Sequence, residues 1–443
     1  MTGSIFSINL LRTRYILALF LLIFALLVLY LQKLKAPWVD ECYSYYGVWH
    51  DSFADFYTSM LTGINFSPPL YFFFNFCIQL VFQTSIDQLR FQSLVFIIIG
   101  IILSFLLTRR IFGTKSALAA TILVASQSGL LLMQAQEARH YAMFFACGAW
   151  VLYMLSLSKS ATEKNKLLSF LAHFCLCQVH YLGIIFSTLV GLSLLISNKE
   201  KTINNRIPFS IFAVWILILP IYLFLLSQQS SHLGNWPKPN QLSDLLAGYN
   251  DSLLILTILI PIFIITITEN PKANTETFSI EKFSHLKPII ITALLWFSLP
   301  VFLWILSHLT PLNLFVDRYF IPKEVAIIIL VAGGINFIIR KSSHLKFLSI
   351  SMFCTLVLSI IIIIVSTKRA AFGLNKDTNY HHSLIIDEPY SASKKPIIFE
   401  DDPKYFPNAY LNRNNYFLLI KDEDLIKTYS QFSRKINLVD HKY

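Results

Sequence analysis

Long apolar stretches separated by short polar segments fill most of the first 366 positions of the chain. A membrane span needs roughly 20 predominantly apolar residues. Eleven stretches predict spanning helices: 15–31, 91–108, 116–133, 141–158, 167–179, 182–197, 208–227, 252–268, 289–307, 319–339 and 347–366. Two of them, 167–179 and 182–197, are short and borrow flanking residues to cross. The first is too long for a signal-peptide core and no small-residue cleavage site follows it, so it reads as an uncleaved helix. A further run, 68–82, is short for a span and predicts a helix lying at, or dipping into, one membrane face.

Charge settles the orientation this pattern implies. With 68–82 not crossing, one set of loops (the N-terminus, 109–115, 159–166, 198–206, 269–287 and 340–346) carries 17 Lys and Arg against 5 Asp and Glu. The opposite loops, without the tail, carry 6 against 9. Basic residues concentrate on cytoplasmic loops, so the first set is expected inside. If 68–82 crossed, every later loop would change side and the bias would invert.

Composition agrees. The 443 residues are 55% hydrophobic and only 14% charged, where soluble chains carry about a quarter. The net charge of +11 is spread over short loops rather than gathered in one basic patch, which argues against a nucleic-acid partner. The six cysteines, Cys42, Cys77, Cys147, Cys175, Cys177 and Cys354, form no CxxC pair and read as small buried hydrophobes. The tail, 367–443, is polar with short strand-like runs at 383–386, 396–399 and 415–420, enough for a small α/β region on the outer side. The chain thus divides into 1–366, a transmembrane domain whose first outer loop spans 35–90, and 367–443, an extracytoplasmic region.

The spans have few ionisable residues near their centres. His173 is the main exception, with Lys323 and Glu324 about a turn inside an outer end. Ion channels and proton-coupled transporters use such groups within the membrane, so attention moves to the outer loops. Four polar clusters fall there: Asp40-Glu41 among aromatics, Gln134 to Tyr141, His180-Tyr181, and Asp317-Arg318-Tyr319. Singly, each also fits helix-end capping or headgroup anchoring. Together they bring carboxylates, imidazoles and guanidinium groups to one membrane face.

Their order carries a resemblance. Trp38-Val39-Asp40-Glu41, then Ser67-Pro68-Pro69-Leu70-Tyr71, Gln136-Glu137-Ala138-Arg139-His140-Tyr141, His180-Tyr181 and Asp317-Arg318-Tyr319 resemble the GT-C superfamily of glycosyltransferases. They are most similar to bacterial members of the group containing protein O-mannosyltransferases and aminoarabinose transferases (glycosyltransferase family 39-like). Ser67 stands where relatives usually carry His. The resemblance implies an all-α polytopic membrane protein with the GT-C fold, about 11 to 13 helices and interfacial helices in the first outer loop. It implies an enzyme of the cell (inner) membrane that moves a sugar from a polyprenyl-phosphate donor to an acceptor glycan, lipid or protein outside the cytoplasm. The absence of G-x-G-x-x-G and P-loop motifs agrees with a donor that is not a nucleotide.

Displacement at an anomeric carbon needs a base and cationic help for the leaving phosphate. By analogy with the family, Asp40 is expected as the base, and Glu41 as the neighbour that tunes it or binds acceptor or metal. Arg139 and Arg318 are suited to the donor phosphate because a guanidinium forks onto its oxygens. His140, His180, Tyr181 and Tyr319 are expected to contact donor or acceptor, and Glu137 to pair with and orient Arg139. A divalent ion, if used, would sit on Asp40 and Glu41; relatives with Asp-Glu generally need none. His381-His382 reads as solvated loop. The rival functions are a lipid-linked sugar flippase or transporter, a non-catalytic envelope-assembly protein, and a polysaccharide polymerase or ligase. The first would show Gly/Pro-broken or charged mid-membrane helices in matching halves, and Pro220 and Pro261 alone do not supply them.

Overall fold

The computed structural model describes residues 2–35, 37–62, 65, 67–82, 85–157, 163–197, 206–229, 241–242, 245, 249, 287–310 and 315–341, together with three short strands in the tail. The expected spans 252–268 and 347–366, the strand-like run 383–386, His381-His382 and the domain boundary at 366–367 lie outside these residues.

The first helix, α1, runs Thr2–Leu34. The following loop folds into three short helices, α2 (Val39–Val48), α3 (Phe53–Leu61) and α4 (Leu70–Gln79). Then come α5 (Ile86–Phe112), α6 (Thr114–Gln127), α7 (Gly129–Gln134), α8 (Tyr141–Ser156), α9 (Glu163–Val179), α10 (Gly183–Ser197) and α11 (Arg206–Gln229). After α12 (Lys287–Leu309), a 3-10 turn at Asp317–Phe320 leads into α13 (Lys323–Lys341). Among the described residues, four helical stretches are long and apolar enough to cross a membrane: Thr13–Leu34, Ile86–Phe112, Ile211–Gln228 and Lys287–Leu309.

The ambiguous run forms α4, whose 10 residues reach only about 15 Å at 1.5 Å per residue, half a hydrocarbon core. The helices on either side bring the two ends of this segment together. Near the start of α5, Arg90 donates through Nη1 to the backbone oxygens of Gln32 and Lys35 at 3.1 and 2.8 Å. The end of α1 and the beginning of α5 therefore meet at one face, and everything between them returns to it.

The expected span 116–133 is broken in two at Ser128, whose extended backbone (ψ 101°) ends α6 and whose hydroxyl accepts from Leu131 N to start α7. Serine competes for backbone groups in this way at helix starts. Ser52 and Ser85 cap α3 and α5 likewise. Gly113, with φ +86°, turns the chain between α5 and α6, a conformation glycine adopts without steric cost.

The core is a continuous apolar cluster centred on α5, α8, α10 and α12, with Phe144, Phe145, Phe186 and Trp296 fully buried. A second cluster joins Ala120 and Val124 of α6 to Ile328 and Val331 of α13. His173 is accounted for locally, since its Nδ1 lies 2.8 Å from Ser187 Oγ of α10. In the tail, Ile397–Phe399, Phe417–Lys421 and Leu438–Asp440 form a three-stranded parallel sheet in sequence order, with Ile398 opposite Leu418 and Ile420 opposite Val439. The first two strands match the expected runs at 396–399 and 415–420; the third had no clear alternating pattern.

Candidate active site

All four polar clusters come to one end of the bundle. Their framework is a buried ion pair that sequence reading did not foresee. Glu41, in the first turn of α2, is wholly buried, and Arg90 of α5 is 2% exposed. Arg90 donates through Nε to Glu41 Oε1 at 2.7 Å and through Nη2 to Oε2 at 2.6 Å. Two further donors reach the same carboxylate, Ala138 N at 2.9 Å and Trp38 N at 3.3 Å. Burial alone would raise the Glu41 carboxyl, but the Arg90 guanidinium, Lys35 and the Ala138 amide outweigh it and leave it below the usual carboxylate value. Glu41 thus differs from its expected place beside the base. Both of its oxygens are engaged by donors from the protein.

Asp40 points the other way. Its Oδ2 lies 3.4 Å from Arg318 Nη2 and 3.6 Å from Arg139 Nη2, and accepts no hydrogen bond. Arg139 is held by its other nitrogen, Nη1, which donates to Asp40 O at 3.0 Å, Ser44 Oγ at 3.4 Å and Asn65 Oδ1 at 3.5 Å. Arg318 lies over the rings of Trp38 and Tyr141, 5.7 Å from each centroid, a packing that favours a guanidinium. The three side chains sum to one positive charge in a half-buried setting, where an anion is attracted with little screening.

Beneath them lies an aromatic wall. The His140 and His180 ring centroids are 5.3 Å apart, and Tyr319 approaches His180 at 4.7 Å and Tyr141 at 6.0 Å. His180 also stacks on Phe144 at 4.9 Å. Burial, reinforced by Arg139 and Arg318, pushes His180 down to about 3 and His140 well below the usual imidazole range, so both are neutral. His180 Nδ1 accepts from Leu182 N at 3.0 Å, which fixes its tautomer with the proton on Nε2. Burial raises the Tyr319 hydroxyl and keeps it a hydrogen-bond donor. The tight turn that presents His180 depends on Gly183, where a Cβ would strike the Leu176 carbonyl.

Two expectations are corrected. Glu137 does not pair with Arg139; it pairs with Lys35 Nζ at 3.1 Å and accepts from Gln134 Nε2 at 3.2 Å, because Arg139 is already drawn to Asp40. Tyr181 turns away from the cluster and packs edge-on against Tyr222 at 4.9 Å, within an apolar group from α9 and α11. Ser67, in place of the family's His, donates to Asn65 O at 3.3 Å and stays within its own loop. Asp40 and Glu41 point apart toward different guanidinium groups, so they offer no shared donor set for a divalent ion. Among the described residues no three His, Cys, Asp or Glu side chains converge on such a site.

Beside the polar cluster an apolar cavity of about 570 Å³ opens between α3, α4, α9 and α11, walled by Phe53, Phe56, Phe73, Phe174 and Phe224. Leu70, at the start of α4, lines it, while Tyr71 and Phe72 on the opposite face of that helix approach His140 at 6.1 and 6.4 Å.

Residues 67–224 match the family described as dolichyl-phosphate-mannose-protein mannosyltransferase. The fold is similar to ArnT from Cupriavidus metallidurans bound to undecaprenyl phosphate, with a TM-score of 0.62 and 10% identity, covering 96% of this chain and 89% of that one. The apo form of the same protein gives 0.62 and 11%, covering 97% and 90%. The oligosaccharyltransferase of Archaeoglobus fulgidus, with Zn and sulfate, gives 0.45 and 14%, covering 88% and 61%. No curated protein matches the chain by sequence. The chain carries helices long and apolar enough to cross a membrane, shares the fold of ArnT, and is similar over residues 67–224 to the family described as dolichyl-phosphate-mannose-protein mannosyltransferase.

Proposed function

We propose that the chain transfers a sugar from a polyprenyl-phosphate carrier to an acceptor hydroxyl or amine on the extracytoplasmic side of the cell membrane. The observation that carries this reading is Asp40 standing between Arg139 and Arg318, with Oδ2 accepting no hydrogen bond. Two cations around one carboxylate leave a net positive charge for the donor phosphate. The undecaprenyl phosphate bound to the structurally similar ArnT supports a carrier of this class, and the apolar cavity beside the site suits a chain of isoprenoid units.

In the proposed reaction the acceptor oxygen or nitrogen attacks the anomeric carbon as the bond from that carbon to the phosphate oxygen breaks. The electron pair stays on the phosphate, whose growing charge Arg139 and Arg318 meet. The acceptor proton passes to Asp40. One displacement inverts the anomeric centre. His180 and Tyr319, neutral and facing the cluster, are placed to hydrogen-bond sugar hydroxyls. Lys323 and Glu324, buried at the start of α13 and 3.6 Å apart, neutralise each other nearby.

The test is transfer from undecaprenyl-phosphate mannose, and from its aminoarabinose counterpart, by purified protein and by Asp40→Asn. Asp40→Asn is expected to lose about 10²–10⁴ of turnover, the usual worth of a positioned base, while undecaprenyl phosphate still binds. Undiminished turnover removes the base assignment.

A further inference from the structure

We propose that the buried Glu41–Arg90 pair is a positioning clamp, whose work is to set Asp40 against Arg139 rather than to stabilise the fold. Its bearing on sugar transfer rests on the function proposed above; its geometry does not.

Glu41 follows Asp40 on α2, and Arg139 follows Ala138 in the loop between α7 and α8. Glu41 Oε1 accepts from Ala138 N at 2.9 Å, so one carboxylate ties the backbone of one segment to the side chain of the other. The residues flanking that tie are the two that face each other across the site, Asp40 and Arg139, at 3.6 Å. The same approach brings Arg139 Nη1 to Asp40 O at 3.0 Å.

The clamp is anchored on its far side. Arg90 holds both oxygens of Glu41 and spends its remaining edge on the carbonyls of Gln32 and Lys35 at the end of α1. Gln32 Nε2 returns the contact, donating to Arg90 O at 3.0 Å and to Ala135 O at 2.8 Å. The loop is therefore gripped at Ala135 by Gln32 and at Ala138 by Glu41. Between these grips its own backbone bonds are only turn contacts, Gln136 N to Met133 O and Arg139 N to Glu137 O. Its register depends on the side chains that hold it.

Stability does not account for the pair. A buried ion pair is often no better for folding than apolar residues of the same volume, although breaking one partner alone is costly. An apolar pair cannot accept a hydrogen bond from Ala138 N. The carboxylate is what placement requires.

The experiment uses the full chain in lipid nanodiscs, as wild type, Glu41→Met/Arg90→Met and Arg90→Lys. Three quantities are read: thermal unfolding, hydrogen exchange of the amides of 135–140, and affinity for undecaprenyl phosphate. The double variant is expected to unfold near the wild-type temperature, to exchange at 135–140 about 10-fold faster, and to bind undecaprenyl phosphate about 10-fold more weakly. Arg90→Lys, which leaves Glu41 on Ala138, is expected to recover most of both losses. Unchanged exchange at 135–140 in the double variant overturns the clamp whether or not any substrate binds. A double variant that no longer folds overturns the claim that placement, not stability, is the pair's work. Fast exchange with undiminished affinity severs the clamp from the site. Failure of the wild type to bind undecaprenyl phosphate sinks the proposed function instead, and exchange still decides the clamp.

Discussion

Arg139 and Arg318 converge on a single atom, Oδ2 of Asp40, from two loops far apart in the chain. Neither makes a close hydrogen bond to it. Such a loose cationic pair is suited to exchange a resident carboxylate for an incoming phosphate.

That arrangement predicts an order among arginine variants. Arg139→Gln and Arg318→Gln each lower turnover by about 10²–10³, the usual cost of one preorganised donor at a charged transition state. Arg318→Lys loses more than charge alone explains, because a point ammonium cannot lie flat on both Trp38 and Tyr141. Steady-state transfer with the same donors measures both. Equal activity of Arg318→Lys and wild type would show that ring packing is irrelevant to the site.

The histidines predict a pH dependence of stability. In the unfolded chain an imidazole takes up a proton near 6.5, whereas folded His180 does so only at about 3. Between those values the unfolded state binds more protons, so stability is fully present above about pH 6.5 and falls as the pH drops toward 3. Thermal midpoints should decline from pH 7 to pH 5, and His140→Phe, which removes one such group, should lessen the decline. A flat profile for the wild type argues against neutral buried imidazoles.

Much of this site could be read from the chain, and the reason is parity. Once charge assigned the loops to faces, Asp40, Arg139, His140, His180, Arg318 and Tyr319 all fell on the same one, and the structure brings them together. What parity cannot resolve is direction within a turn. Asp40 and Glu41 are neighbours on one helix, about 100° apart around its axis, and only their partners show which faces the site. The same holds for His180 and Tyr181. Arg90 was hidden for another reason: it sits where an apolar run begins, the ordinary place for an interfacial arginine. The Lys35–Glu137 pair joins loops whose contact no local pattern reveals.

Gly183 predicts a packing defect away from the chemistry. Gly183→Ala would drive a methyl group into the Leu176 carbonyl, and the turn carrying His180 must move. A loss of about 1–3 kcal/mol is expected from such overpacking, read as a lower unfolding midpoint together with reduced turnover. Wild-type values for both would show that the turn yields without displacing His180.

The proposed orientation is open to direct chemical labelling. Asp87, whose side chain is 87% exposed, lies at the end of the bundle that carries the site, and exposed Lys115 lies beyond the far end of α5. In cells with the native cysteines replaced, Asp87→Cys should react with an impermeant maleimide added from outside and Lys115→Cys should not. The reverse result would place the site on the cytoplasmic side.

The last cation to reach Asp40 enters with the 3-10 turn before α13, long after α1 to α8 have been synthesised. During biogenesis the acidic residue therefore waits with one arginine in place and the second still to come. An emerging chain that stops short of residue 318 keeps a pocket of zero net charge, able to hold its loops together yet lacking the charge to draw in a lipid phosphate. Competence for transfer would then arrive in one late step, when the membrane domain is all but assembled.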